Sequence, residues 1–177
     1  MLGAIYGDII GSVFEWHNVK TENFELFSRE SHFTYDTVLT VAVMDKLLSS
    51  ENKHSTIQNR LTAKTYAERY IAYYNRYRDA GYGQMFTERA QKHTFNKSNS
   101  YGNGSAMRSC PIGYAYEDLH EVLKETQLSS LYTHNSREAI RAVKAVAGCV
   151  FLARKGVSKI EIFMFVTKIS AIKYHSL

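Results

Sequence analysis

Proline is almost absent: Pro111 stands alone among 177 residues. Backbone N–H donors are therefore available nearly throughout, and long helices can run unbroken. Cysteine is scarce as well. Cys110 and Cys149 lie in apolar surroundings without framework spacing. That excludes a small disulfide-stapled fold and leaves two buried free thiols of a reducing compartment. No apolar run approaches the ~20 residues that span a bilayer; the longest extends only from Ala145 to Ala153. No basic leader precedes the first patterned segment, which argues against a signal peptide. Strand-like alternation is rare, and no linker, repeat or low-complexity tract is visible. These absences point to one cytoplasmic, all-α domain of roughly six to eight helices.

What is present supports a sizeable core. Hydrophobic residues make up 45%, including 13 Tyr and 9 Phe. The formal charge of +5 is carried by scattered Lys and Arg. Scatter of that kind disfavours nucleic-acid binding as the main role and suits an anionic small ligand equally well.

Leu2 to Trp16 has Ile5, Ile9 and Val13 at helical spacing. Gly3, Gly7 and Gly11 form a bare stripe on that helix. Each costs ~1 kcal/mol against Ala, so the close approach of a backbone or ligand is expected to offset it. Asp8, Ser12 and Glu15 share another face. That face is either solvated or turns two carboxylates into a site. Val19 to Ser31 is loop. A helix from Thr34 to about Leu48 follows, with Val38, Val41, Ala42 and Leu48 as its stripe. Ser55 and Gln58 form a capping box before a helix carrying Ile57, Leu61, Tyr70, Ile71, Tyr74 and Tyr77, whose tyrosines are expected to pack between helices. Gly81 and Gly83 end it. A short helix forms around Phe86 and Ala90. Helices are also expected over Glu117 to Leu131, over the stripe Ile140, Val143, Ala147, Val150 and Phe151 up to Gly156, and after the Ser158–Glu161 capping box through Ile162, Phe165, Val166 and Ile169.

Three stretches carry possible chemistry. In His32-Phe33-Thr34-Tyr35-Asp36-Thr37, Thr34 occupies an N-cap position and Asp36 the first turn. This is either a plain cap, with hydroxyl and carboxylate serving the positive helix end, or a pair of hard oxygen ligands for a divalent cation. Ser100-Tyr101-Gly102-Asn103-Gly104 precedes a helical run, and its Gly-Asn-Gly is either a plain turn or a cradle of N–H groups for an anion. No strand precedes it, so it is not a dinucleotide fingerprint. His134 stands just before a helix start, as a cap neighbour or a ligand contact.

Taken together, Gly3 to Ser12 with Glu15, Phe33 to Thr37, Ser100 to Arg108 with Pro111-Ile112-Gly113, and Thr133-His134-Asn135 resemble the ADP-ribosylglycohydrolase family over nearly the whole chain. The resemblance implies an orthogonal all-α multi-helix bundle, a single domain over 1–177 lacking its C-terminal part. It also implies hydrolysis of the glycosidic bond joining ADP-ribose to a protein side chain or small acceptor, assisted by two Mg²⁺ ions. Thr34 and Asp36 are implied as metal ligands, with Glu15 and Asp36 as catalytic carboxylates. Ser100, Tyr101, Gly102, Asn103, Gly104 and His134 are implied as ADP-ribose contacts. Tyr35 stands where the family has Asp, and no Asp-x-Asp-Thr motif occurs before Leu177. A neutral phenol is a poor Mg²⁺ ligand. Three functions therefore stay open: a working but impaired hydrolase, a catalytically silent ADP-ribose binder, and a basic helical interaction protein. Apolar residues left uncovered on the last helix, Phe163 among them, would favour a homo-oligomer.

Overall fold

The computed structural model describes residues 2–49, 56–94 and 96–170. The Ser55–Gln58 capping box, and the side chains of Ile57 and Leu61, lie outside the described residues. Among the described residues the fold is helical, without a strand: α1 (Leu2–Gly11), α2 (Tyr35–Leu48), α3 (Thr56–Arg76), α4 (Gln84–Gln91), α5 (Gly104–Met107), α6 (Cys110–Ala115), α7 (Leu119–Ser130), α8 (Arg137–Arg154) and α9 (Lys159–Ser170). This is the expected all-α set, with the helical run after Gly-Asn-Gly divided into two short helices, α5 and α6.

The start signals act where their chemistry places them. Asp118 caps α7 by accepting from Glu121 N at 3.0 Å, so the helix begins two residues later than the pattern suggested. Ser136 caps α8 through Ala139 N at 3.2 Å. The Ser158–Glu161 box closes in both directions, at 3.3 and 3.2 Å. Gly156, at φ +76°, ends α8 in the left-handed region.

The core gathers Leu39, Ala42 and Val43 of α2, Tyr66 and Tyr70 of α3, Ile112 of α6, Val122 of α7, and Ala147 and Phe151 of α8. Tyrosines pack between helices as expected, and two satisfy their hydroxyls on α7. Tyr70 donates to Ser129 O at 3.0 Å, and Tyr66 donates to Glu125 Oε1 at 2.8 Å. Tyr77, at the end of that row, is 40% exposed.

Two expectations for α2 and α1 are corrected. Leu48 is 85% exposed rather than buried, while Lys46 is 3% exposed. The lysine is taken inside because Glu125 pairs with it and the Tyr66 ring lies 4.3 Å from its ammonium. The first helix stops at Gly11, not Trp16, and tightens into a 3₁₀ turn over Ser12–Phe14. Ser12 Oγ donates back to Ile9 O at 2.9 Å while accepting from His32 N at 3.2 Å, which bends the chain toward the following loop. Cys110 and Cys149 are free, as read, but half-buried rather than buried. On α9, Ile160, Phe163 and Met164 are exposed.

α6 and α8 meet at Gly113. A Cβ there would stand 2.6 Å from Ala147 O and 2.9 Å from Val150 Cβ. Backbone on one side leaves no flexible atom to give way. Gly113→Ala should therefore destabilise the fold by about 1–3 kcal/mol. Thermal unfolding checks this: a Tm drop on the order of 2–4 °C per kcal/mol is expected, and an unchanged Tm would remove the packing argument.

Candidate functional site

The first turn of α2 leaves N–H groups that need acceptors, and each finds one. Tyr35 N donates to Ala80 O at 2.7 Å. Asp36 N donates to Thr34 Oγ1 at 3.2 Å, so Thr34 is the N-cap that its position suggested. Thr37 N donates to Asp8 Oδ2 at 3.1 Å. Asp8 also accepts from Thr34 N at 2.8 Å and, through Oδ1, from the Thr34 hydroxyl at 2.5 Å. One carboxylate on α1 thus grips the positive end of α2 with three charge-assisted bonds.

That grip sets up an acidic cleft of about 380 Å³, lined by Gly7, Asp8, Gly11, Ser12 and Glu15 from the first segment and by Thr34, Tyr35, Asp36 and Thr40 from the second. The glycine stripe faces open space. A Cβ on Gly7 or Gly11 would meet nothing within 4 Å, so no backbone approaches it. Among the described residues no Lys or Arg lines this cleft. Burial, then the charges of Asp8 and Glu15, raise the Asp36 carboxyl to about 6. Burial and the same three carboxylates push the Tyr35 phenol up to about 12, keeping it neutral. Asp36 Oδ1 and Thr37 Oγ1 are buried without a hydrogen-bond partner.

A second cavity, of about 320 Å³, lies next to the first. Tyr35, Asn103 and Met107 border both and form the wall between them. Its charge is opposite: Arg89 and Arg108 line it, and among the described residues no Asp or Glu does. Aromatic surface comes from Tyr82 and Phe86, stacked at 5.3 Å. The loop before α5 is fastened to the connector before α8. Asn99 pairs with His134 in a single antiparallel bridge, and Asn135 N donates to Ser98 O at 2.7 Å. A Cβ on Gly104 would stand 3.2 Å from the His134 ring, so glycine lets the loop lie against the imidazole. His134 is buried, and its Nδ1 has no partner.

The residues singled out from sequence fall into these two cavities, with one exception. Glu15, Thr34, Tyr35 and Asp36 meet in the acidic cleft; Ser100, Gly102, Gly104 and His134 meet in the second, and Asn103 borders both. Tyr101 lines neither and is 79% exposed. The Gly102 N–H, expected to serve an anion, is taken by Ser100 Oγ at 3.2 Å. Asp8 and Arg108 were named in the sequence but given no site role. The shared helical face of Asp8, Ser12 and Glu15 was the signal for the first. Arg108 closes the Ser100–Arg108 stretch, with no other charged residue between Lys97 and Glu117, and its motif position alone did not say where the side chain would go.

His134 yields a pH prediction. Burial, then the nearby Arg108 guanidinium, push its pKa down to about 3. The unfolded chain therefore binds a proton that the native chain refuses between the ordinary value of about 6.5 and about 3. The resulting stability is full above that window and lost as pH falls through it. Unfolding curves from pH 7 to 4 should show a shallower acid loss in His134→Gln than in the parent; identical slopes would refute the assignment.

A family model described as ADP-ribosylglycohydrolase matches residues 1–171. Among curated relatives, the ADP-ribosylhydrolase ARH3 of Xenopus tropicalis is 29% identical over 93% of this chain and 52% of its own length. ARH3 of Mus musculus is 30% identical over 93% and 50%, and ARH3 of Homo sapiens 28% over 93% and 51%. The chain spans about half the length of the curated relatives it matches. With this match over nearly every residue, the all-α architecture and the paired cavities find their place: the chain belongs to the ADP-ribosylglycohydrolase family.

Proposed function

We propose that the two cavities hold one ADP-ribose conjugate, its phosphate-bearing part in the basic cavity and its distal ribose in the acidic cleft, and that the chain hydrolyses the bond between that ribose and its acceptor. The observation that carries this reading is the opposed charge of two adjoining cavities with a shared wall of Tyr35, Asn103 and Met107. An anion on one side and a carbon that becomes cationic on the other match that division.

Loss of the acceptor leaves oxocarbenium-like charge on the ribose anomeric carbon. Asp36 and Glu15 border the cleft where that charge would develop. Glu15 takes the proton of the attacking water as the new C–O bond forms. The acceptor departs with the old bonding pair and is protonated from solvent. Neutral His134 offers a hydrogen bond without adding positive charge.

The donor set is also suited to a magnesium ion, in part. Asp36 Oδ1 is unpartnered, and Thr34 Oγ1, already bonded to Asp8 and Asp36 N, keeps one lone pair. Asp36 and Thr34 would hold such an ion, which typically keeps several waters and takes only one or two carboxylates. Bound there, it would orient ribose hydroxyls and acidify a water. Tyr35 adds no charge to this set. Among the described residues no group of three or more His, Cys, Asp or Glu is placed to hold a metal. Those two facts favour a second reading, an ADP-ribose binder without turnover.

Release of free ADP-ribose from an ADP-ribosylated peptide, with MgCl₂ present, separates the readings. Turnover by the parent that falls about 10²-fold or more in Glu15→Gln, with ADP-ribose binding retained, supports hydrolysis. Binding without release in the parent supports the silent binder. No binding at all defeats both.

A further inference from the structure

A ligand that occupies both cavities must cross the wall between them, and among the described residues that wall is Tyr35, Asn103 and Met107. Tyr35 is its aromatic member, and it is held from several sides. It opens α2, where its N–H donates to Ala80 O at 2.7 Å. Its ring lies 5.9 Å from that of Tyr82, tilted by 44°. Gly81, at φ +85°, turns the chain between these two contacts, and a Cβ there would meet only Tyr35 Cδ1, at 3.9 Å. The Tyr82 ring is in turn stacked on Phe86 and edge-on to Tyr74. The Tyr35 ring is therefore set in place before any ligand arrives, which reduces the ordering cost of binding.

The two ends of this side chain meet different surroundings. The ring belongs to the aromatic side, with Tyr82. The hydroxyl stands beside the Asp36 carboxylate, with Glu15 and Asp8 in electrostatic range. Phenol and carboxylate thus offer a donor and acceptors side by side. A vicinal diol, whose hydroxyls each donate and accept, is answered by that pair. Other hydroxyls lining the cleft are less available. Ser12 donates to Ile9 O and Thr34 to Asp8 Oδ1, and Thr40 is 3% exposed. The flat ring beside the pair can take the apolar face of a sugar. A cation drawn to Asp36 would find in the phenol a neutral neighbour that adds no charge to hold it.

We propose that Tyr35 is the residue by which this cleft selects the distal ribose. The ring packs against the sugar, and the hydroxyl, acting with Asp36, takes the diol directly, so that selection does not call on a divalent cation. The assignment rests on the ADP-ribose reading for the identity of the ligand and adds to it the group that distinguishes ADP-ribose from ADP.

Isothermal titration of ADP-ribose and of ADP, which lacks the distal ribose, into the parent chain and Tyr35→Phe tests it, each in EDTA and in MgCl₂. The parent should bind ADP-ribose more tightly than ADP, by a ratio that agrees within about twofold between the two buffers. Tyr35→Phe keeps the ring and loses the hydroxyl; it should lower that ratio about tenfold and leave ADP binding within about twofold. A ratio that collapses in EDTA overturns the proposal. So does a Tyr35→Phe chain that keeps the parent's ratio, or one that loses ADP and ADP-ribose equally, which would mark Tyr35 as a structural strut. The ring-proton resonances of Tyr35 in the parent give a second readout that needs no substitution. They should shift more with ADP-ribose than with ADP, in EDTA; equal shifts overturn the proposal. A parent that binds ADP-ribose and ADP alike sinks the ribose assignment and leaves ligand binding standing, and a parent that binds neither sinks the functional reading together with it.

Discussion

The Asp8 carboxylate on the N-terminus of α2 is the constraint on which the candidate site depends. α1 has no buried residue of its own, so apolar packing does little to hold it. What fixes it is electrostatic: one carboxylate accepts two backbone N–H bonds and a hydroxyl bond at the positive end of a 14-residue helix. Charge-assisted bonds of this type contribute about 1.5–3 kcal/mol each. The same contact determines where Glu15 and Asp36 stand relative to each other. It also uses up Asp8, which therefore has little capacity left for a ligand.

From that join the molecule becomes polar in the electrical sense. Carboxylates gather on the α1–α2 side and guanidinium groups on the α4–α5 side, with Tyr35, Asn103 and Met107 between them. Keeping the two sets apart forgoes the ion pairs they would make with each other. The buried Lys46–Glu125 pair shows that this fold does neutralise charge where no ligand is served. Open charge at the cavities and paired charge in the core are thus two treatments of the same problem. The raised Asp36 carboxyl and the depressed His134 imidazole are their local consequences.

Much of this was legible in the chain. Helical periodicity located the helices because their buried stripes repeat at 3.6 residues, and Thr34, Ser136 and Ser158 sit where caps are required. The motif residues came together because four short stretches in the right order carry a family pattern. What local pattern could not show was long-range pairing. Leu48 was read into the core stripe and Lys46 was given no place at all; Glu125, 79 residues away, is what draws the lysine inside. The burial of Arg108 was hidden for the same reason: its partners are the Tyr70 ring and Thr133, from other parts of the fold. Tyr101 failed in the opposite way. A motif position carries a side chain into a site only if something holds it there, and here it projects into solvent.

The central claim is that the acidic cleft and the basic cavity form one binding site. Backbone amide shift mapping during an ADP-ribose titration tests it most directly. The account predicts that Thr34 to Thr37, across the wall, and Gly102, Gly104 and His134 move together with a single apparent affinity. Shifts confined to one cavity, or centred on the exposed face of α9, would contradict it.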